Sequence, residues 1–409
     1  MATRYWLGGR RGKRAQVSAV VVTAYDAATT YSIIIGGNTV SVLGSGGTTA
    51  TVATALQTAL AASEFEEFRE ITWTVSNSTI TGTANEAGKP FTATTSESGG
   101  AGTIGNFSDT TTNQSPNDLS DAANWSAATL PISGDSIVFE RSEVDALWGL
   151  TAFAAVDIVS FTVRNTYTGR IGLNPFDDNG YYQYRQQSLQ MQTCTTLYEE
   201  QASNLGTGER RYSVGANACT GTIVGDGAGT LGEEITWIDG TSTSNAFEVQ
   251  GGSLALASLA SESTSLTSLK ATKGSVIRAG SATTFSSATV TLTDSTLEAR
   301  SNIATLTAEG SSNLTLWNAM TVTTLTVRAG SSCVYNSSGT ITTLNLVGSI
   351  DFSQDSTAVT ITNVVQAYAG ATFNDPDARV TLSAGLKLNQ CRDADVVKDF
   401  GTNRTLTPS

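Results

Sequence analysis

The 409-residue chain contains no histidine, the commonest general base and metal ligand near neutral pH. Histidine-dependent triads and histidine-ligated metal sites are thereby excluded. What remains is carboxylate chemistry of the kind glycosidases use, in which two Asp or Glu side chains flank the bond to be broken. The candidates are Asp177, Asp178, Asp226, Asp294, Asp351, Asp355, Asp375 and Asp377. Most stand beside Gly, Asn, Ser or Pro, where Asp serves as a turn residue. No catalytic residue is assigned, and the chain is expected not to be an enzyme.

Two other groupings could bind something. Tyr181, Tyr182 and Tyr184 with Arg185 are the best exposed-aromatic cluster for stacking on carbohydrate. The same residues could instead pack over an irregular stretch of the fold or against a neighbouring subunit, and a subunit interface is preferred because Tyr is favoured there. Arg4, Arg10, Arg11, Lys13 and Arg14 form a basic stretch in an otherwise acidic chain. It reads either as a docking element for an acidic surface or as a solvated arm. Gly8-Gly9 and Gly46-Gly47 lack the Lys-Ser/Thr of a phosphate loop, so no nucleotide site is expected. Cys194, Cys219, Cys333 and Cys391 lie far apart without a C-x-x-C pair, which indicates free thiols and no zinc. No cofactor or metal is expected.

Asp and Glu number 36 against 23 Lys and Arg, a net charge of −13. Nucleic acid needs a basic surface and is not expected as a partner. No apolar run reaches membrane-spanning length and no signal peptide is visible, so neither membrane nor export is expected. Only 14% of residues are charged, and abundant Thr and Val suit strands better than helices.

What must position these residues is a repeat. An apolar-x-x-apolar-x-apolar template, then a Gly or Asp turn, then a second alternating stretch, begins at Leu266, Phe285, Ile303, Val322, Ile341 and Ile361. Gly274, Asp294, Gly310, Gly330, Gly348 and Gly370 are the expected turns. A strand-turn-strand unit cannot bury its apolar face alone. Recurrence at one phase therefore implies stacked coils, a mainly β fold built on a parallel β-solenoid (β-helix). The template places Leu269, Ala288, Leu306, Leu325, Leu344 and Val364 in one interior row. Ile158–Val163 with Ile171–Leu173 reads as the first coil, and the region up to Leu266 reads as degenerate coils with long loops. Nearer the N-terminus, strand-like runs over 16–43 flank a Gly36-Gly37-Asn38 turn. Val52, Leu56 and Leu60 then mark one face of a helix, and two more alternating runs follow, which predicts a small ββαββ α+β domain.

Two short pieces around that domain resemble halves of one motif. Tyr5-Trp6-Leu7-Gly8-Gly9 is similar to Y-W-x-G-G. Asp121-Ala122-Ala123-Asn124-Trp125-Ser126 and Pro131 to Phe139, with Gly134-Asp135-Ser136-Ile137-Val138-Phe139, are similar to D-x-x-N-W-S and P-x-x-G-D-x-V-x-F. These pieces resemble the start of β-solenoids in tailed-phage virion proteins and some bacterial surface adhesins, where they run close together. Their separation here implies a domain inserted in the cap, with Trp6 and Trp125 sealing the end of the solenoid. The insert, through Tyr31–Gly36 and Gly88-Lys89-Pro90-Phe91-Thr92, resembles a small domain of phage tail and capsid-associated proteins.

The expected organisation is therefore a basic arm and first cap piece (1–14), an insert (15–110), the cap (111–157), the solenoid (158–390) and a tail (391–409). The resemblance implies a virion structural protein that binds other particle proteins and itself, by analogy as a homotrimer. A capsid decoration or cement protein on the outside of the shell comes first. A tail fibre or tail spike that binds or cleaves host glycan is the alternative, and a bacterial adhesin is a weaker one.

Overall fold

A computed structural model describes residues 2–177, 179–201, 208–227, 229–259, 262–354, 357–363 and 365–401. Strand accounts for 49% of the chain and helix for 7%, arranged around a parallel β-solenoid of about 12 turns. One long sheet runs from β1 (Thr3–Trp6) to the strand Val397–Asp399, every pairing in it parallel. It extends beyond the expected 158–390 at both ends. β1 pairs with β10 (Ser136–Phe139), and β10 with β11 (Phe153–Val163), so Ile158–Val163 is not the first coil. β12 (Leu189–Glu200) follows, and the irregular region up to Leu266 keeps the same ladder.

Between β1 and β10 the chain leaves the solenoid and builds a second body with its own core. Its elements are β2 (Val17–Ala24), β3 (Thr30–Ile35), β4 (Asn38–Leu43), α1 (Thr49–Ala61), α2 (Glu66–Arg69), β5 (Ile71–Ser76), β6 (Thr79–Ala84), β7 (Thr94–Ser98), β8 (Thr103–Ile104) and β9 (Ser108–Thr111). They form two antiparallel sheets. The Gly36-Gly37 turn closes the β3–β4 hairpin as its spacing predicts. The first run divides into two strands because Asp26 turns the chain, accepting from the Ala28 N–H at 2.7 Å. Thr48 caps α1, and Val52, Leu56 and Leu60 are buried. α1 packs on both β4 and β5, covering the outer strands of the two sheets.

The solenoid interior is built from rows. One runs Ile137, Phe161, Leu197, Gly221, Phe247, Leu269, Val290, Leu306, Leu325, Leu344. Val290 takes the place expected for Ala288. The register slips between Phe285 and Thr289, a bulge that moves Ala288 out of the row although it stays buried. Val364 lies outside the described residues. Four turn glycines, Gly274, Gly310, Gly330 and Gly370, have left-handed φ of 68 to 87°, and Asp294 fills the same slot at 51°. Gly348 does not share that conformation. There a side chain would strike the carbonyl oxygens of Arg328 and Ser331.

Candidate functional site

The two motif halves meet at the end of the solenoid. Trp6 lies edge-on to Trp125 with ring centroids 5.3 Å apart, and both pack on Phe139. The indole N–H groups donate to the carbonyls of Val144 (3.1 Å) and Leu119 (2.8 Å), so burial leaves neither unsatisfied. Asn124 binds the chain on both sides of the gap. Its amide donates to the Ser115 and Asp118 carbonyls, and its own carbonyl accepts from Leu7 and Gly8. The Gly9 N–H reaches the Pro116 carbonyl at 3.0 Å, so the chain leaves for the insert and returns at nearly one point. Gly8 is required by space, since a Cβ there would lie 2.6 Å from the Val144 side chain. The segment around Trp125 covers the outer edge of β1, through the Trp6–Trp125 bridge and the Tyr5 N–H to the Ser126 hydroxyl.

The basic residues are not a free arm. Arg4 is paired with the buried Asp135 at 3.0 Å, tying β1 to β10. Burial works against the charge of Asp135, but Arg4 and the N–H groups of Ala2 and Ile132 outweigh it and hold the carboxyl below its usual range. Arg11 pairs with Asp121 at 2.9 Å, and Arg14 donates to Thr112 and pairs its backbone with Gln114. Arg10, Arg11, Lys13 and Arg14 all remain exposed.

The aromatic cluster divides in two. Tyr184 and Arg185 leave the solenoid between β11 and β12 and dock on the insert. Arg185 Nη2 reaches Glu70 at 2.5 Å, its Nε donates to the Pro90 carbonyl at 2.7 Å, and its guanidinium lies over the Tyr184 ring (4.2 Å) and near Trp148 (5.6 Å). Lys89 also pairs with Glu70. Burial opposes the Glu70 charge, but these two cations prevail and lower its pKa. The Tyr184 hydroxyl, pushed well up by burial, donates to Glu70 at 3.3 Å. These two residues therefore make an interface within the chain. An apolar cleft of about 410 Å³ opens beside it, between Phe91 of the insert and Trp148 of the cap. Tyr181 and Tyr182, by contrast, are 48% and 60% exposed.

Four of the candidate carboxylates hold turns. Asp177 accepts from Asn179 and Tyr181, Asp294 from Ser311, Asp351 from Ser353, and the buried Asp375 from Arg379 and Val380, all backbone N–H groups at 2.8 to 3.0 Å. Asp178 and Asp355 lie outside the described residues. Cys194, Cys219 and Cys333 are buried, Cys391 half-buried, and all four are free. Among the described residues no group of His, Cys, Asp and Glu is placed to hold a metal ion, and no helix is long and apolar enough to cross a membrane.

Sequence reasoning missed a polar chain inside the solenoid. Arg210 is wholly buried, with Nη1 2.9 Å from Glu199 and Nη2 2.7 Å from the Tyr167 carbonyl. Glu199 accepts from Thr236 at 2.6 Å, and Gln201 links Thr236 to the Ser253 carbonyl. Nothing in Arg210-Arg211-Tyr212 marks an inward-facing arginine, except that strand alternation places Arg210 and Tyr212 on one face.

Compared with protein-family models, curated proteins and solved structures, the chain matches none of them.

Proposed function

We propose that this chain is a non-enzymatic structural protein of a tailed-phage particle, a decoration or cement protein on the outside of the capsid shell. The reading is carried by the assembly of Trp6, Asn124, Trp125 and Asp135 into one closed solenoid end, from which a separate module projects. That is the arrangement expected if the motif pieces resembling phage virion proteins form a single cap. A parallel solenoid is a stiff spacer, because each coil rests only on its neighbours and the interior is continuous. The absence of catalysis in this reading is supported by the carboxylates that bind backbone turns. Self-association as a homotrimer belongs to the same reading and shields the solenoid flanks.

Gold-labelled antibody against the chain, imaged on intact particles, tests the proposal. Label over the head supports decoration. Label on the tail favours the fibre or spike alternative, and shortened host polysaccharide after incubation with purified protein would overturn the non-enzymatic reading.

A further inference from the structure

Four of the largest exposed apolar side chains stand together beside the junction: Phe65 (46% exposed), Phe176 (58%), Tyr181 (48%) and Tyr182 (60%). They line or flank a cleft of about 260 Å³ whose walls come from the two bodies of the chain. One wall is Glu64, Phe65 and Glu66 at the start of α2. The other is a small hairpin, closed by the Asp177 N–H on the Tyr181 carbonyl (2.9 Å) and by the Phe176 ring edge-on to Tyr182 at 6.0 Å. Each wall is fixed by bonds already described, since Tyr184 and Arg185 hold the hairpin's end against Glu70.

We propose that this cleft binds cationic side chains, Lys or Arg carried on an exposed segment of a partner protein. Scattered exposed aromatics need no explanation, but a cluster around a concave surface marks an interaction site. Charge selects the partner. The lining carries Glu64, Glu66, Glu67 and Asp177 in addition to Glu70, while Arg185, its one cation among the described residues, is already committed to Glu70. Among the described residues Glu66 pairs only with the exposed Arg69, at 3.5 Å. Aromatic faces beside carboxylates attract a cation twice, through the ring quadrupole and through charge-assisted hydrogen bonds. An anion is repelled, and a neutral sugar could stack on the rings and donate hydroxyls to the carboxylates but would gain nothing from their uncompensated charge. The chain shows the same pairing next door, where Arg185 lies over Tyr184 and reaches Glu70. The inference stands on the cleft and does not depend on the particle assignment.

The test is calorimetric titration of the full chain with blocked hexaarginine and hexalysine peptides and with maltohexaose, a neutral hexasaccharide. Because the whole protein carries a charge of −13, any polycation is attracted without specificity. The deciding variant is therefore Tyr181→Ala, which leaves the charge unchanged and removes an exposed ring of a residue that bonds within the hairpin through its backbone. The expected result is peptide binding weakened at least tenfold in that variant and also in Glu64→Gln with Glu66→Gln, with circular dichroism unchanged. Equal peptide affinity in wild type and the tyrosine variant, no peptide binding at all, or tyrosine-dependent binding of maltohexaose in place of the peptides would each overturn it.

Discussion

Gly221 and Phe247 are neighbours in one interior row, and the Phe247 ring fills the space a side chain on Gly221 would need: a Cβ there would lie 2.4 Å from the ring. The pair is a small-large match across adjacent coils, and it accounts for a glycine in the middle of a strand, where glycine is otherwise unfavourable. Gly221→Ala should cost about 1–3 kcal/mol through overpacking. Adding Phe247→Leu should recover part of that loss. Urea melts of the single and double variants check it, and strictly additive losses would mean the two residues do not share the space.

The buried Arg210–Glu199 pair should behave as a unit. Arg210→Met leaves the buried Glu199 without its cation and should cost about 3–5 kcal/mol, whereas replacing both with apolar residues of similar size should cost much less. A double-mutant cycle by chemical denaturation measures the coupling. Independent effects would place both side chains in contact with water.

Leu325 lies in the interior row between Leu306 and Leu344 and is fully buried. Leu325→Asp places an unpaired charge there and should unfold or truncate the stack of coils. Limited proteolysis should release an N-terminal fragment containing the earlier coils. An intact, protease-resistant variant would contradict the row.

Asp239 gives the stability a pH dependence. Burial pushes its carboxyl up to about 7, with Glu262 adding to the effect while Ser213 and Arg211 act against it. The folded pKa lies above the unfolded value of about 3.9, so folding takes up a proton between the two. This contribution is fully present below the unfolded pKa and is lost as the pH rises through about 7. Thermal melts at pH 5 and pH 8 should show the protein less stable at the higher pH, with the difference reduced in Asp239→Asn. An unchanged difference in that variant would locate the dependence elsewhere.

Residues 12–110 read as a self-contained insert in the sequence, and the Gly9–Pro116 contact allows the gap to be closed by a short Gly/Ser link. The shortened chain should stay soluble and keep its β circular dichroism, since the interior rows do not pass through the insert. Loss of the β signal would show that the junction at Tyr184 and Arg185 supports the solenoid.

The solenoid was legible from Leu266 onward because coils of nearly equal length repeat one residue template, so apolar phase alone places Leu306, Leu325 and Leu344 together. The placement of Ala288 failed where a bulge adds residues without changing composition. The earlier coils were blurred for a similar reason: Leu197, Gly221 and Phe247 share a row but differ in size and are separated by unequal loops. The ion pairs of Arg4 and Arg11 were not legible because their partners, Asp135 and Asp121, lie more than a hundred residues away. The division of the tyrosine cluster depends likewise on Glu70, which no local pattern connects to Tyr184.

The pairing of Thr3–Trp6 with Ser136–Phe139 sets an order of assembly. The ribosome makes β1 before β10, and the whole insert and part of the cap emerge between these two partners. The insert, contiguous in sequence, can complete its own core in the meantime, as domains commonly do during translation. The end of the solenoid can therefore close after the module has folded, and Arg185, made later still, reaches Glu70 of that module from the stack.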